Sequence, residues 1–164
     1  MNIRLGFLVF VVIGIVADLW TKDWAFRVIP DNGYRNIIVI PGWLEITNVR
    51  NSGMAWSLFQ GLDPRIWVAV RGLLTVGLIW MWNRSASGGW WINLAFACVV
   101  SGAIGNLHDN IFADHGHVRD FVSVILGGWR FPVFNVADSL ITCGAPILVF
   151  TMANEPEPSG KVSA

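Results

Sequence analysis

Apolar residues along this chain fall into four long runs separated by polar segments. Residues 5–17 carry no charge, and the apolar character continues through Leu19 and Trp20 to Phe26. A second run covers 66–82 and is broken only by Arg71. Residues 85–107 are 23 consecutive positions without Asp, Glu, Lys or Arg. Between Arg130 and Glu155 the one side chain charged at neutral pH is Asp138. A membrane-crossing helix needs about 20 mostly apolar residues, because the backbone rises 1.5 Å per residue through roughly 30 Å of hydrocarbon. The pattern therefore predicts four membrane helices, near 5–26, 66–82, 86–109 and 136–153, the last bent at Pro146. The first run also fits a secretory signal peptide, with Arg4 ahead of it and Ala17 as a cleavage site. Ile15 is large for the third residue before a cut, and three further spans would still anchor the chain. An uncleaved first helix is the expectation.

The polar segments divide unequally. A short link at Asn83-Arg84-Ser85 is surrounded by Trp80, Trp82, Trp90 and Trp91, an aromatic belt at one water boundary. Trp20, Trp24 and Trp67 belong near the other boundary. Four spans put both termini on the side of the Arg84 link, so segments 27–65 and 110–135 share the opposite side. The first holds two short strand patterns, 37–40 and 44–49, around a Pro41-Gly42 turn. The second holds 121–126 and 129–134 around Gly127-Gly128. The predicted architecture is a mainly α membrane protein, one domain over 1–164, with a small β platform and lid on one membrane face.

Composition agrees with this picture. The chain has 164 residues, 54% hydrophobic, and its 13% of Asp, Glu, Lys and Arg is about half the usual share of roughly 25%. Mean hydropathy is +0.56, and eleven cations balance eleven anions. Intrinsic disorder and nucleic-acid binding by bulk electrostatics are thereby excluded. The two cysteines, Cys98 and Cys143, are neither a disulfide framework nor a metal knuckle. The cations are unevenly placed: Arg4, Arg84 and Lys161 lie on the side of the termini, and Lys22, Arg27, Arg35, Arg50, Arg65, Arg119 and Arg130 on the other. The positive-inside rule, applied to that count alone, puts the termini outside.

Charged residues inside spans call for a reason, since a central aspartate costs about 2.5–3.5 kcal/mol on insertion scales. Asp18 and Asp138 lie in such positions, and Asp109 and Asp120 flank the third span. Asp18 shares a helix face with Thr21 and Lys22, and a local helix-end ion pair with Lys22 explains it as well as catalysis does. Gly102, Asn106 and Asp109 share another face, and Asn135 and Asp138 are i, i+3 neighbours. The hairpin between Asp120 and Asp138 can return the chain so that the two carboxylates meet. Two carboxylates at low dielectric cannot both ionise comfortably, so one keeps its proton while the other acts as base. The alternative is separate carboxylates, each paired with Arg119 or Arg130. His108, His115 and His117 with Asp109, Asp114 and Asp120 supply enough ligands for a zinc hydrolase, although no HExxH helix is present. A third reading is a small polytopic transporter or assembly subunit relaying ions through its aspartates; such proteins more often show repeat symmetry, and none is visible here. Arg71 fits an interfacial arginine whose stem lies in lipid, or a group that holds a substrate headgroup or carboxylate.

These segments, taken in order, resemble the lipoprotein signal peptidase (signal peptidase II) family of bacterial membrane aspartyl endopeptidases. Asp18-Leu-Trp-Thr21-Lys22 is similar to the family's D-x-x-[ST]-K element, and Asn51-Ser-Gly53-Met-Ala55-Trp56 to its N-x-G-x-A-F segment. Gly102-Ala-Ile-Gly105-Asn106-Leu-His-Asp109 resembles G-x-x-G-N-x-x-D. Gly116-His-Val118-Arg-Asp120-Phe121 resembles G-x-V-x-D-F, and Phe134-Asn135-Val-Ala137-Asp138-Ser139 resembles F-N-x-A-D-S. The resemblance implies a catalytic pair at Asp120 and Asp138. It implies supporting or substrate-binding roles for Asp18, Lys22, Asn51, Gly53, Asn106, Asp109 and Asn135. It further implies cleavage of diacylglyceryl-modified prolipoproteins just before the lipidated cysteine, inhibition by the cyclic peptide globomycin, and no metal or organic cofactor. Both termini are then cytoplasmic, against the charge count, with the site near the outer face of the bacterial inner membrane and residues 51–59 over the bound lipid and peptide. Three positions depart from the pattern: Asn110 where Arg is usual, Trp56 for Phe, and Ser101 for Gly. The first removes a guanidinium unless Arg119, Arg71 or Arg50 supplies it.

Overall fold

A computed structural model describes residues 2–29, 36–51, 64–85 and 89–153. Gly53, Ala55, Trp56 and the rest of the expected lid, the Trp67 side chain, and the tail from Glu155 lie outside the described residues. Helices α1 (Ile3–Val28), α2 (Pro64–Ser85), α3 (Gly89–Phe112) and α4 (Val136–Ala153) account for most of the chain. Among them, α1, α3 and α4 are long and apolar enough to cross a membrane. Asn2 caps α1 by accepting the Arg4 backbone N–H at 3.1 Å, and Pro146 sits inside α4 without ending it.

The central helix is α3. Its most apolar stretch is 61% buried, against 28% for α1 and 17% for α4, and it packs against all three other helices. The outward faces of α1 and α4 instead expose Leu8, Val12, Ile13, Val16, Val149 and Phe150. Such a continuous apolar surface is what a helix presents to lipid. At the end near the α2–α3 link, Phe7, Val11, Ile92, Phe96, Val100 and Leu148 form the apolar core, and Phe7 stacks on Trp82 with ring centroids 3.6 Å apart. At the opposite end the interior changes character, and buried Asp, Asn and Lys side chains replace aliphatic ones.

An antiparallel sheet covers that polar end, in the order β1 (Ile37–Ile40), β2 (Leu44–Asn51), β3 (Val118–Leu126), β4 (Trp129–Arg130). Gly42, with φ +75°, closes the first hairpin, and Gly127 and Gly128, with φ +57° and +86°, close the second in the left-handed conformations a two-residue hairpin turn needs. Two expectations need correction. The last strand stops at Arg130 rather than Phe134, because Pro132 has no N–H to give a ladder. The third begins at Val118 rather than 121, which places Asp120 within a strand. The chain then returns to β3 at a single bridge, Val122 to Phe134, immediately before α4 begins.

Candidate active site

Three elements converge at the polar end: the second half of α1, the last turns of α3, and the β3-to-α4 return. Asp120 is 1% exposed, and Val49 lies opposite it in the β2–β3 register. Asn51, two residues further along β2, is therefore its diagonal neighbour on the same face. The Asn51 Nδ2 donates to Asp120 Oδ2 at 2.9 Å. The Phe134 bridge sets Asn135 beside the same carboxylate, and Asn135 Nδ2 donates to Asp120 Oδ1 at 2.7 Å.

Asn135 also starts α4. Its Oδ1 accepts the Asp138 backbone N–H at 2.8 Å, while Asp138 Oδ2 accepts the Asn135 backbone N–H at 3.3 Å. This is a reciprocal capping box, and it fixes Asp138 on the first turn of the helix. A third N–H of that turn, from Ala137, is accepted by Asp18 Oδ1 at 2.8 Å, so a carboxylate on α1 pins the start of α4. Asp138 is half-buried, and its Oδ1 accepts from Asn106 Nδ2 at 2.8 Å. Asn135 thus touches both Asp120 and Asp138, and through the 3.2 Å contact from its Nδ2 to Asn106 Oδ1 it joins the two halves of the site.

Lys22 lies beneath this layer and is fully buried. Its ammonium meets Asp18 at 2.7 Å, Asp109 at 3.2 Å and Asn106 Oδ1 at 3.0 Å, three acceptors for three donors. The helix-end pair of Asp18 with Lys22 is therefore present, and it belongs to a larger network. Arg119 donates its Nε and Nη2 to Asp109 Oδ1 at 3.0 and 2.8 Å, its backbone N–H to Asp109 Oδ2 at 3.0 Å, and its Nη1 to Asp23. Arg130 pairs with Glu45 at 2.8 Å. Neither arginine is bound to Asp120 or Asp138, so the pairing alternative drawn from spacing is not what the fold adopts. Asp23 is the partner that sequence reasoning missed, and its 96-residue separation from Arg119 left no signal.

Close helix approach makes the network possible. A Cβ on Gly102 would collide with the Ala137 carbonyl, and one on Gly105 would collide with the Asp18 carboxylate. Asp120 keeps its proton to about pH 6, because burial withholds water from its carboxylate and the nearby charge of Asp138 adds to the effect, against the lowering by hydrogen bonds from Asn51 and Asn135. Among the described residues, no histidine is hydrogen-bonded to Asp120 or Asp138. His108 sits 3.8 Å from Asp109 beside a cavity of about 340 Å³ lined also by Asp23, Phe26, Arg50 and Arg119. Among the described residues no three His, Cys, Asp or Glu side chains converge as metal ligands.

Apolar helices closing at one end over interlocked carboxylates, carboxamides and a buried lysine define a membrane protein with an ionisable site at its boundary. The sequence model of the signal peptidase II family matches residues 10–154. The lipoprotein signal peptidase of Xanthomonas oryzae pv. oryzae (strain PXO99A) is 36% identical over 137 residues, covering 82% of this chain and 79% of that one. The Oleidesulfovibrio alaskensis lipoprotein signal peptidase is 38% identical over 135 residues, covering 80% and 83%. A solved bacterial membrane enzyme superimposes with a TM-score of 0.79 at 26% identity, covering 92% of this chain and 94% of the other. The chain belongs to the signal peptidase II family, and it is a peptidase.

Proposed function

We propose that Asp120 and Asp138 are the catalytic pair of an aspartic endopeptidase that cuts diacylglyceryl-modified prolipoproteins just before the lipidated cysteine. Removal of signal peptides from prolipoproteins follows from family membership; the catalytic type and the point of cleavage are the proposal. The observation that carries it is Asn135, whose one side chain is bonded to the Asp120 carboxylate and to the backbone N–H of Asp138. The pair holds one proton, and burial favours Asp120 as its carrier. The second carboxylate takes a proton from a water held between them, and the hydroxide formed adds to the peptide carbonyl as Asp120 protonates its oxygen. The resulting gem-diol collapses as a proton passes to the leaving amine. Asn51, Asn106 and Asn135 hold the carboxylates in place, and Lys22 with Arg119 balances the charge of Asp18 and Asp109. No metal or organic cofactor enters this chemistry.

In this reading α2 is the fourth span, both termini are cytoplasmic, and the sheet lies at the outer face of a bacterial inner membrane. There, peptide and acyl chains in lipid meet the water that hydrolysis consumes. The partners are the diacylated prolipoprotein, membrane lipid and globomycin-type inhibitors. Asp120→Asn and Asp138→Asn should each abolish cleavage of a diacylated prolipoprotein in a gel-shift assay while leaving membrane insertion intact. Turnover near the wild-type rate by either variant ends the assignment. Activity that survives EDTA and is lost to globomycin separates this chemistry from a metallohydrolase or a transporter.

A further inference from the structure

Arg71 lies two turns into α2, half-buried, and none of the contacts described around Asp120 and Asp138 accounts for it. Its guanidinium donates through Nη1 to the Asn110 side-chain oxygen. Asn110 is 9% exposed, and its Nδ2 donates to the Gly116 carbonyl at 2.6 Å, so the acceptor is itself tied to the turn after α3. Arg71 stands within electrostatic reach of both Asp138 and Asp120, yet it forms an ion pair with neither. The other two cations of the site behave differently, since Lys22 and Arg119 each contact two carboxylates directly. A long, flexible cation near two carboxylates in a poorly solvated site settles onto one of them unless another contact holds it away. Asn110 is that contact.

A guanidinium presents five N–H donors in a planar fork, and Asn110 accounts for one. The cation is thus held off the carboxylates with donors to spare, and the group that comes between them during the reaction is a peptide main chain, whose exposed acceptors are carbonyl oxygens. We propose that Arg71 is a substrate-binding residue that donates to a main-chain carbonyl of the bound prolipoprotein beside the scissile bond, and that Asn110 is the positioning residue that holds it there. The inference rests on Asp120 and Asp138 being the catalytic pair.

The test is steady-state kinetics of the purified full-length protein in lipid-containing micelles with a diacylated prolipoprotein. Arg71→Gln should lower kcat/KM about 10- to 100-fold, the range for loss of a charge-assisted hydrogen bond, with most of the change in KM. Arg71→Lys keeps the charge and loses the fork. It should still raise KM at least about fivefold, with the pH limbs of kcat/KM where the wild type has them. Asn110→Ala should raise KM in the wild type and add nothing in an Arg71→Gln background. Full recovery by Arg71→Lys, a KM unchanged in Arg71→Gln, or additive effects of the two positions would each overturn the proposal. Failure of the underlying reading looks different, because it is turnover by Asp120→Asn, whatever Arg71 does to KM.

Discussion

At the scale of single residues, the site works by giving each carboxylate a different set of neighbours. Asp18 and Asp109 share Lys22, and Asp109 also takes three N–H groups of Arg119. Among the described residues, Asp120 is hydrogen-bonded by two neutral carboxamides, and it is almost fully shut off from solvent. Its carboxyl is consequently raised from 3.8 to about 6, by burial first and by the Asp138 charge as well, against the lowering by its carboxamide hydrogen bonds. The sign of the resulting pH dependence follows. In the proposed mechanism the proton that Asp120 must donate is in place below about 6 and is lost above it. The alkaline limb of kcat/KM, which reports the free enzyme, should therefore fall near pH 6. The limb of kcat should lie higher, since bound peptide and acyl chains strip further water from the same carboxyl. A kcat/KM that stays flat from pH 5 to 9 would show that no titrating carboxyl of this kind is used. Folding is linked to the same group. A carboxyl raised in the folded state adds stability that is fully present below 3.8 and disappears as pH rises through about 6.

At the scale of elements, the site depends on how closely α3 approaches α1 and α4, and two glycines set that distance. Gly102→Ala would drive a methyl group into the Ala137 carbonyl, a backbone atom that no rotamer change can move. The first turn of α4 must shift, carrying Asp138 away from Asn106 and Ala137 away from Asp18. We expect a loss of about 1–3 kcal/mol in stability, read as a lower thermal midpoint, together with a large fall in activity. Gly77→Ala, in α2, meets nothing within 4 Å, so it should leave activity unchanged and raise stability by up to about 1 kcal/mol, which separates crowding from helix propensity. Turn chemistry made the strands legible in the sequence: Pro41-Gly42 and Gly127-Gly128 marked both hairpins of the sheet. The start of β3 was not legible, because Val118-Arg119-Asp120 reads as a polar loop until Asp109, Asn51 and Asn135 are present to receive its side chains. The Asp18–Lys22 pair was visible at helical spacing. The hold of Asp18 on Ala137, 119 residues away, is a product of packing alone.

At the scale of the whole molecule, the interior is divided along the helix axes. Aliphatic and aromatic side chains fill the end near the α2–α3 link, and the ionisable network fills the end under the sheet. In the proposed reading, a substrate with acyl chains and an apolar signal segment stays in lipid while its scissile bond reaches the polar end of the fold. Which aqueous side that boundary faces is where the two sequence arguments diverge. Seven cations on the sheet side favour the cytoplasm for it, and the family resemblance favours the outside. Five of those seven, Lys22, Arg27, Arg50, Arg119 and Arg130, are bound to carboxylates on the same side of the fold. The rule counts Lys and Arg and gives carboxylates little weight, so this pairing leaves the divergence for an experiment to decide. Single cysteines decide the matter, in a background with Cys98 and Cys143 replaced by alanine. Asp114→Cys lies on the sheet side with its side chain 77% exposed in the parent protein, and Asn83→Cys lies exposed at the end of α2 beside the other link. In intact cells a membrane-impermeant maleimide should label position 114, and it should reach position 83 only after the membrane is permeabilised. The reverse pattern would turn the protein over and move the proposed cleavage to the cytoplasmic face. Labelling of both positions from outside would mean that α2 does not cross the bilayer.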